Sequence, residues 1–406
     1  MSRLGRAPVA RVIVTVGVIL GATGCGGQES AEPSIDSVPW ELDTPPPQPE
    51  DISEATTPQD LLLEEATAYV RALPLEQKVA ALFVVFHPGT DLDVFEEFYR
   101  RLPVSGFILL RSNLPGPLTE DADFVASLSG MSELPLILAV DQEGPPITRI
   151  RTDDLPGHRE LGQGDPRDTR AVFAARNLLV ADLGANVNFG IVADVSSGPD
   201  SYIDNRTFGS DAKSVAAHVF HAVGGRVPGV AQTLKHFPGH GMTTEDSHIV
   251  IPRVSMALDD WLEDHGRPFR VGISQGVDLV MMSHLVVSSA DGNPASLSSF
   301  WVGVLRDEWG FDGVIVTDDL AMLKASGEEE FADPVVNAVR ALNAGVDLIV
   351  HTDFGPPEEE FSRYDELIPA VIDRVVAGEV SIDTIDEALT RVITLRLLLR
   401  GVSGGF

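Results

Sequence analysis

One cysteine in 406 residues, Cys25, leaves no partner for a disulfide within the chain and excludes a metal or iron–sulfur site built from several thiolates. Lysine is scarce as well, confined to Lys78, Lys213, Lys235 and Lys324. Lysine and arginine together number 29 against 61 aspartates and glutamates, a formal net charge of −32. A chain so short of cations lacks the means to neutralise a phosphate backbone or an anionic lipid surface, which argues against nucleic-acid binding. Long apolar runs are missing too: residues 12–20 fall far short of the ~20 that a membrane-spanning helix needs. What is present is enough for a sizeable core, with 44% hydrophobic residues in a length suited to one large domain or two ordinary ones.

The first 60 residues read as an address followed by a tether. Arg3, Arg6 and Arg11 precede or open the apolar run, and Gly21-Ala22-Thr23-Gly24-Cys25 follows it. This arrangement resembles a bacterial lipoprotein signal, in which the cysteine is lipidated; Ala22 stands where leucine is usual. Residues 1–25 are therefore expected to be a signal peptide with its lipidation site at Cys25. The protein is expected to be exported and lipid-anchored to the outer face of the cell membrane. From Gly26 to Val70 there is no lysine or arginine, while acidic residues recur beside Pro45, Pro46, Pro47 and Pro49. Such a segment cannot build a core, and residues 26–58 are expected to be a disordered acidic tether. Residues 59–406 form the expected folded domain, starting with helical apolar spacing over 61–72.

Within that domain eight short apolar runs alternate with amphipathic stretches. The runs lie at 82–86, 106–110, 136–140, 185–189, 229–234, 278–282, 313–317 and 347–350. Helical patterns separate them at 94–101, 167–183, 214–226, 300–309 and 334–343. Continuous apolar strands between helices predict parallel strands covered on both faces. Eight such units point to an α/β fold of the (β/α)8 TIM-type barrel class, with an open doubly wound sheet as the competing architecture. Gly276-Val277-Asp278-Leu279 and Gly345-Val346-Asp347-Leu348 nearly repeat, each with a glycine suited to a helix C-cap.

In a barrel the chemistry sits at the C-terminal ends of the strands. Reading past each run gives Asp141 and Glu143, Asp194, Lys235 and His236, Ser283 and His284, Asp318 and Asp319, and His351. One polar residue after a strand is ordinary turn chemistry; six strands ending in titratable groups predict an active site. Asp246 and His248, two apart, have the spacing of a carboxylate that orients an imidazole for acid/base work, or of a capping aspartate beside a surface histidine. Asp318 follows a β-branched strand and is placed to act as nucleophile or metal ligand, while Asp319 is a candidate cap for the next helix. Asp141 and Glu143 suit sugar hydroxyls or a ligand cation. His236, His240, His248 and His284 with Asp246 and Asp318 also admit a metal-cluster reading, but no HxH pair or H-E-x-x-H helix occurs, and no metal or cofactor is expected.

Asp141-Gln142-Glu143-Gly144, Lys235-His236-Phe237-Pro238-Gly239-His240-Gly241, Asp246-Ser247-His248 and Thr317-Asp318-Asp319-Leu320-Ala321-Met322 resemble, in order and spacing, the signatures of family 3 glycoside hydrolases. They are most similar to the β-N-acetylhexosaminidase branch, over roughly residues 60–400. The resemblance implies a retaining exo-β-N-acetylhexosaminidase that releases terminal N-acetylglucosamine from peptidoglycan- or chitin-derived glycans. It assigns Asp318 as nucleophile, His248 with Asp246 as acid/base dyad, and Asp141, Arg149, Arg206, Lys235 and His236 as sugar-binding residues. The partners it implies are a glycan substrate, with membrane contact through the lipid anchor only, and the protein is expected to be a monomer. Pro145-Pro146 replaces the family's Gly-Arg pair, which predicts a stiffer loop and altered affinity at the sugar-binding edge. Three alternatives remain at this level: an inactive glycan-binding lipoprotein, a family 3 phosphorylase, and a β-glucosidase.

Overall fold

The structure, a computed structural model, describes residues 57–352 and 360–400. The expected signal peptide, Cys25 and all of the tether but Thr57 and Pro58 lie outside the described residues. Among those described, no helix is long and apolar enough to cross a membrane. The first helix, Pro58–Ala72, starts where its chemistry dictates. Thr57 accepts from the Asp60 amide at 3.1 Å, the Asp60 carboxylate accepts from the Thr57 amide at 2.7 Å, and Pro58 needs no donor at the first helical position.

All eight predicted runs carry strands: β1 (Phe83–Val85), β2 (Gly106–Ile108), β3 (Ile137–Val140), β4 (Val187–Val192), β5 (Ala231–Phe237), β6 (Leu279–Met282), β7 (Val314–Thr317) and β8 (Ile349–His351). Each is parallel to its neighbours, and β8 pairs with β1 through Phe83–Ile349, Val84–Val350 and Val85–His351. A parallel bridge between Val316 and Leu348 joins β7 to β8 and closes the ring. The closed parallel barrel is the predicted class, and the open sheet is set aside. Every residue of these strands is buried, because helices cover the outside and side chains fill the inside.

The two ends of the barrel differ in what their polar side chains do. At the N-terminal end, polar side chains ahead of one strand clamp the amides of its neighbour. Asn186 accepts from Leu138, Asp278 from Gln232 at 2.9 Å, and Asp347 from Ile315 at 2.7 Å. The near-repeat in the sequence is this device used twice. Its glycines, Gly276 and Gly345, sit at φ 72° and 96°, the left-handed conformation expected at a helix end. At the C-terminal end β4 and β5 run further than their apolar patterns. The register shifts between Asn188 and Ile191 and between Leu234 and Phe237, and Lys235 and His236 lie inside β5 instead of beyond it.

Candidate active site

Asp141, Glu143, Ile147, Arg149, Tyr202, Arg206, Lys235, His236, His240, Ser247, His248, Met281 and Asp318 line one cavity of about 150 Å³ at the C-terminal mouth. The catalytic and sugar-binding residues expected from the sequence thus meet in one place, with Asp246 just outside the lining. Larger clefts lie on the outer flank near Pro74 and Arg100 and at the N-terminal end near Asp278, away from this chemistry.

Five charged side chains of alternating sign run along one wall. Arg149 donates to Asp141 at 2.8 Å, and Lys235 donates to the other Asp141 oxygen at 2.9 Å. Lys235 also lies 2.7 Å from Glu143, whose two oxygens take the Arg206 guanidinium at 2.7 and 3.0 Å. Glu143 is buried, and a carboxylate removed from water needs such partners to stay charged. Burial alone would raise Glu143, but Arg206 and Lys235 outweigh it and hold it far below the usual carboxylate range. Burial likewise works against the charge on Lys235, and Asp141 and Glu143 more than offset it. From the sequence Glu143 is one of two carboxylates suited to sugar hydroxyls or a ligand cation, and only Asp141 of the two is assigned to the sugar by the family resemblance. The signal for Glu143 was position: residues 141 and 143 are two apart on an extended segment and share a face.

The loop after β3 is held from behind. Gln142 accepts from the amides of Arg149 and Ile150 at 2.8 and 2.9 Å and donates to Asp153 at 2.6 Å. Asp153 pairs with Arg176 at 2.7 Å, and both side chains are fully buried. Breaking a pair of this kind leaves an uncompensated charge at a cost of about 3–5 kcal/mol, so the pair fixes the loop. Gly144, at φ 92°, lets the chain pass over the Arg176 guanidinium; a Cβ there would fall 2.3 Å from a guanidinium nitrogen. Pro145 and Pro146 form the exposed tip of this turn, between Gly144 and Ile147, which bond to each other across it. The departure at 145–146 therefore leaves Arg149 on Asp141.

On the opposite side, Asp318 leaves β7 with its amide bonded to the Met282 carbonyl at 2.8 Å and one oxygen accepting from the Asp319 amide at 2.9 Å. Burial would push the pKa of this carboxyl up, but His236, His284 and the Asp319 amide outweigh it and hold it down to about 2. Asp319 turns away from the cavity. It accepts from the Ala321 amide at 3.0 Å and from Thr352, which makes it a cap and a tie to β8.

Asp246 and His248 sit on the loop that follows β5. One Asp246 oxygen accepts from the His248 amide at 2.9 Å, an Asx turn that delivers the carboxylate to the residue two positions on. The same oxygen takes His248 Nδ1 at 2.8 Å. The spacing of two is what allows both bonds. The His248 side chain is 56% exposed, and Nε2 has no partner among the described residues. The Tyr202 hydroxyl lies 3.5 Å from Nδ1.

Three more strand-end groups expected at the mouth lie outside the cavity lining: Ser283, whose hydroxyl accepts from the Leu285 amide at 3.3 Å, His284 and His351. His284 bonds Ser296 at 2.8 Å and the Asp319 carbonyl at 2.8 Å, behind the cavity wall. His351 also lies outside the lining, its carbonyl accepting from Tyr364 at 2.8 Å. Asp194 supports instead of lining: it holds His236 Nδ1 at 2.8 Å and the His240 amide at 2.6 Å. With those histidines engaged, no group of three His, Cys, Asp or Glu among the described residues is arranged to hold a metal ion.

The mouth of this parallel barrel joins an anionic carboxylate, a carboxylate–imidazole pair and a wall of paired charges, the groups that hydrolysis of a glycoside calls for. The family described as "Glycosyl hydrolase family 3 N terminal domain" matches residues 76–395. This chain belongs to glycoside hydrolase family 3. It is 34% identical over 300 residues to the beta-hexosaminidase LpqI of Mycobacterium tuberculosis, covering 68% of this chain and 72% of that protein. It is 33% identical over 275 residues to a beta-hexosaminidase of Stenotrophomonas maltophilia, covering 64% of this chain and 80% of that protein. Among solved structures it resembles a family 3 beta-N-acetylglucosaminidase from Paenibacillus sp., with a TM-score of 0.76 and 32% identity. That match covers 82% of this chain and 64% of the Paenibacillus chain.

Proposed function

We propose that the protein is a retaining exo-β-N-acetylhexosaminidase that removes terminal N-acetylglucosamine from peptidoglycan- or chitin-derived glycans. The observation that carries this reading is that Asp318 and His248 line one cavity with the Arg149–Asp141–Lys235–Glu143–Arg206 wall. Retaining hydrolysis takes two groups, an anion that attacks the anomeric carbon and a proton donor at the leaving oxygen. Asp318, ionised down to about 2 and fixed at a strand end, is the nucleophile. His248, braced by Asp246, gives its proton to the departing oxygen and then takes one from the water that releases the sugar. The charged wall supplies donors and acceptors for ring hydroxyls, and such charge-assisted bonds are the strong ones. A cavity of about 150 Å³ is below the ~300–1,000 Å³ of pockets for drug-sized ligands and suits one sugar unit, hence removal from chain ends.

The expected result with umbelliferyl substrates is turnover of the β-N-acetylglucosaminide and at least about a hundredfold lower kcat/KM for the β-glucoside, the scale set by leaving buried polar groups unpaired. Equal turnover of the two would make the enzyme a β-glucosidase. Free sugar is the expected product with or without phosphate; sugar 1-phosphate in phosphate buffer would make it a phosphorylase. Binding without product would return the reading to a glycan-binding protein. The intact loop behind Arg149 supports catalysis over that last alternative.

The exported, lipid-anchored location is proposed from the sequence around Cys25. The full-length chain is expected to partition into detergent, and the Cys25→Ser variant into the aqueous phase. Identical partitioning of both would refute the anchor.

A further inference from the structure

The acid/base pair sits on a loop, yet proton transfer needs the donor held within hydrogen-bond reach of the leaving oxygen. Asp246 and His248 are themselves partly exposed, and the residue between them is not. Ser247 is buried, and its hydroxyl lies 2.9 Å from Nε2 of His240, which is also buried. His240 is anchored in turn through its amide to Asp194 at 2.6 Å. The other oxygen of Asp194 holds His236. Elsewhere the loop is tied down by Ser201, which donates to the Thr243 carbonyl at 3.0 Å, and by Trp261, which donates to the Pro238 carbonyl at 2.9 Å. Beyond Thr243, the His240–Ser247 bond is the buried side-chain tie nearest the dyad.

We infer that His240 and Ser247 are positioning residues that latch the dyad-bearing loop to Asp194, so that one carboxylate sets both the sugar-binding His236 and the proton-donating His248. The inference rests on the reading of His248 as acid/base. The ring chemistry agrees with a permanent latch. His240 Nε2 and Ser247 Oγ hydrogen-bond in either imidazole tautomer, the serine donating or accepting accordingly. Burial, followed by the neighbouring His236, brings the His240 imidazole down to about 4, so it is neutral around pH 7.

A latch that acts through His248 makes itself felt in proportion to the need for a proton. Ser247→Ala is compared with Ser247→Thr, which restores a hydroxyl, and with His248→Ala as reference. The substrates are β-N-acetylglucosaminides with dinitrophenyl and methyl leaving groups. For Ser247→Ala the expected loss in kcat/KM is about 10- to 100-fold on the methyl glycoside and under about threefold on the dinitrophenyl one, part of the full effect of an acid/base group. An unchanged melting temperature and substantial recovery in Ser247→Thr complete the expected pattern. Equal loss on both substrates, or no loss on either, overturns the latch. A flat response in His248→Ala itself overturns the acid/base reading and the latch with it. A steep response there beside a flat one in Ser247→Ala overturns the latch alone.

Discussion

Asp318→Asn is expected to lower kcat by about four orders of magnitude or more while leaving the fold and melting temperature close to those of the parent. The size follows from removing a covalent nucleophile, for which no neighbouring group substitutes. The carboxamide is nearly isosteric, and the oxygen that accepts from the Asp319 amide is retained, so the strand end keeps its bond at 2.9 Å. What is lost is the negative charge. His236 and His284 surround Asp318, and their influence, against the opposing effect of burial, is what keeps it ionised down to about 2. A carboxylate with so depressed a value remains anionic until the pH approaches about 2. The acid limb of the activity profile is accordingly expected to report a different group. Intact-mass measurement of quenched enzyme should show a glycosyl adduct on the parent during turnover of a slowly hydrolysed substrate, and none on the variant. Undiminished turnover by Asp318→Asn would falsify the assignment.

The barrel was legible because parallel strands buried on both faces leave continuous apolar runs, and all eight were where those runs lie. The ends of the strands were less legible for the same reason. The fifth run stops at Leu234 because Lys235 and His236 are polar, yet β5 continues to Phe237. These polar side chains are tolerated inside a strand only because Asp141, Glu143 and Asp194 arrive from the ends of other strands, and sequence spacing does not reveal that meeting. The dyad was legible because an Asx turn is local: Asp246 reaches His248 whatever else the chain does. Asp194 and Tyr202 matter through partners on distant segments, His236 and His240 for the one and His248 for the other. Ser247 matters through its bond back to His240, and the residue types alone suggest turns or core. His284 and His351 show the converse. Both stand at strand ends, and packing takes each behind or beside the cavity wall.

Loss of His248 is expected to depend on the leaving group more than any other change at the mouth. His248→Ala should reduce kcat/KM by about 10²–10⁴ on a methyl glycoside or disaccharide, the range for a general acid, and by far less on a dinitrophenyl glycoside, whose phenolate departs unaided. Steady-state rates across a series of phenols of rising pKa check this, the slope steepening in the variant. Asp246→Asn separates charge from orientation. The carboxamide that replaces the carboxylate would keep an oxygen for the His248 amide and for Nδ1, so the Asx turn and ring direction survive. With the carboxamide the ring keeps its direction and loses the negative charge beside Nδ1. The variant should therefore fall between the parent and His248→Ala on poor leaving groups and stay close to the parent on the dinitrophenyl glycoside. Asp246→Asn rates equal to the parent's across the leaving-group series would mean that the carboxylate only shapes the turn.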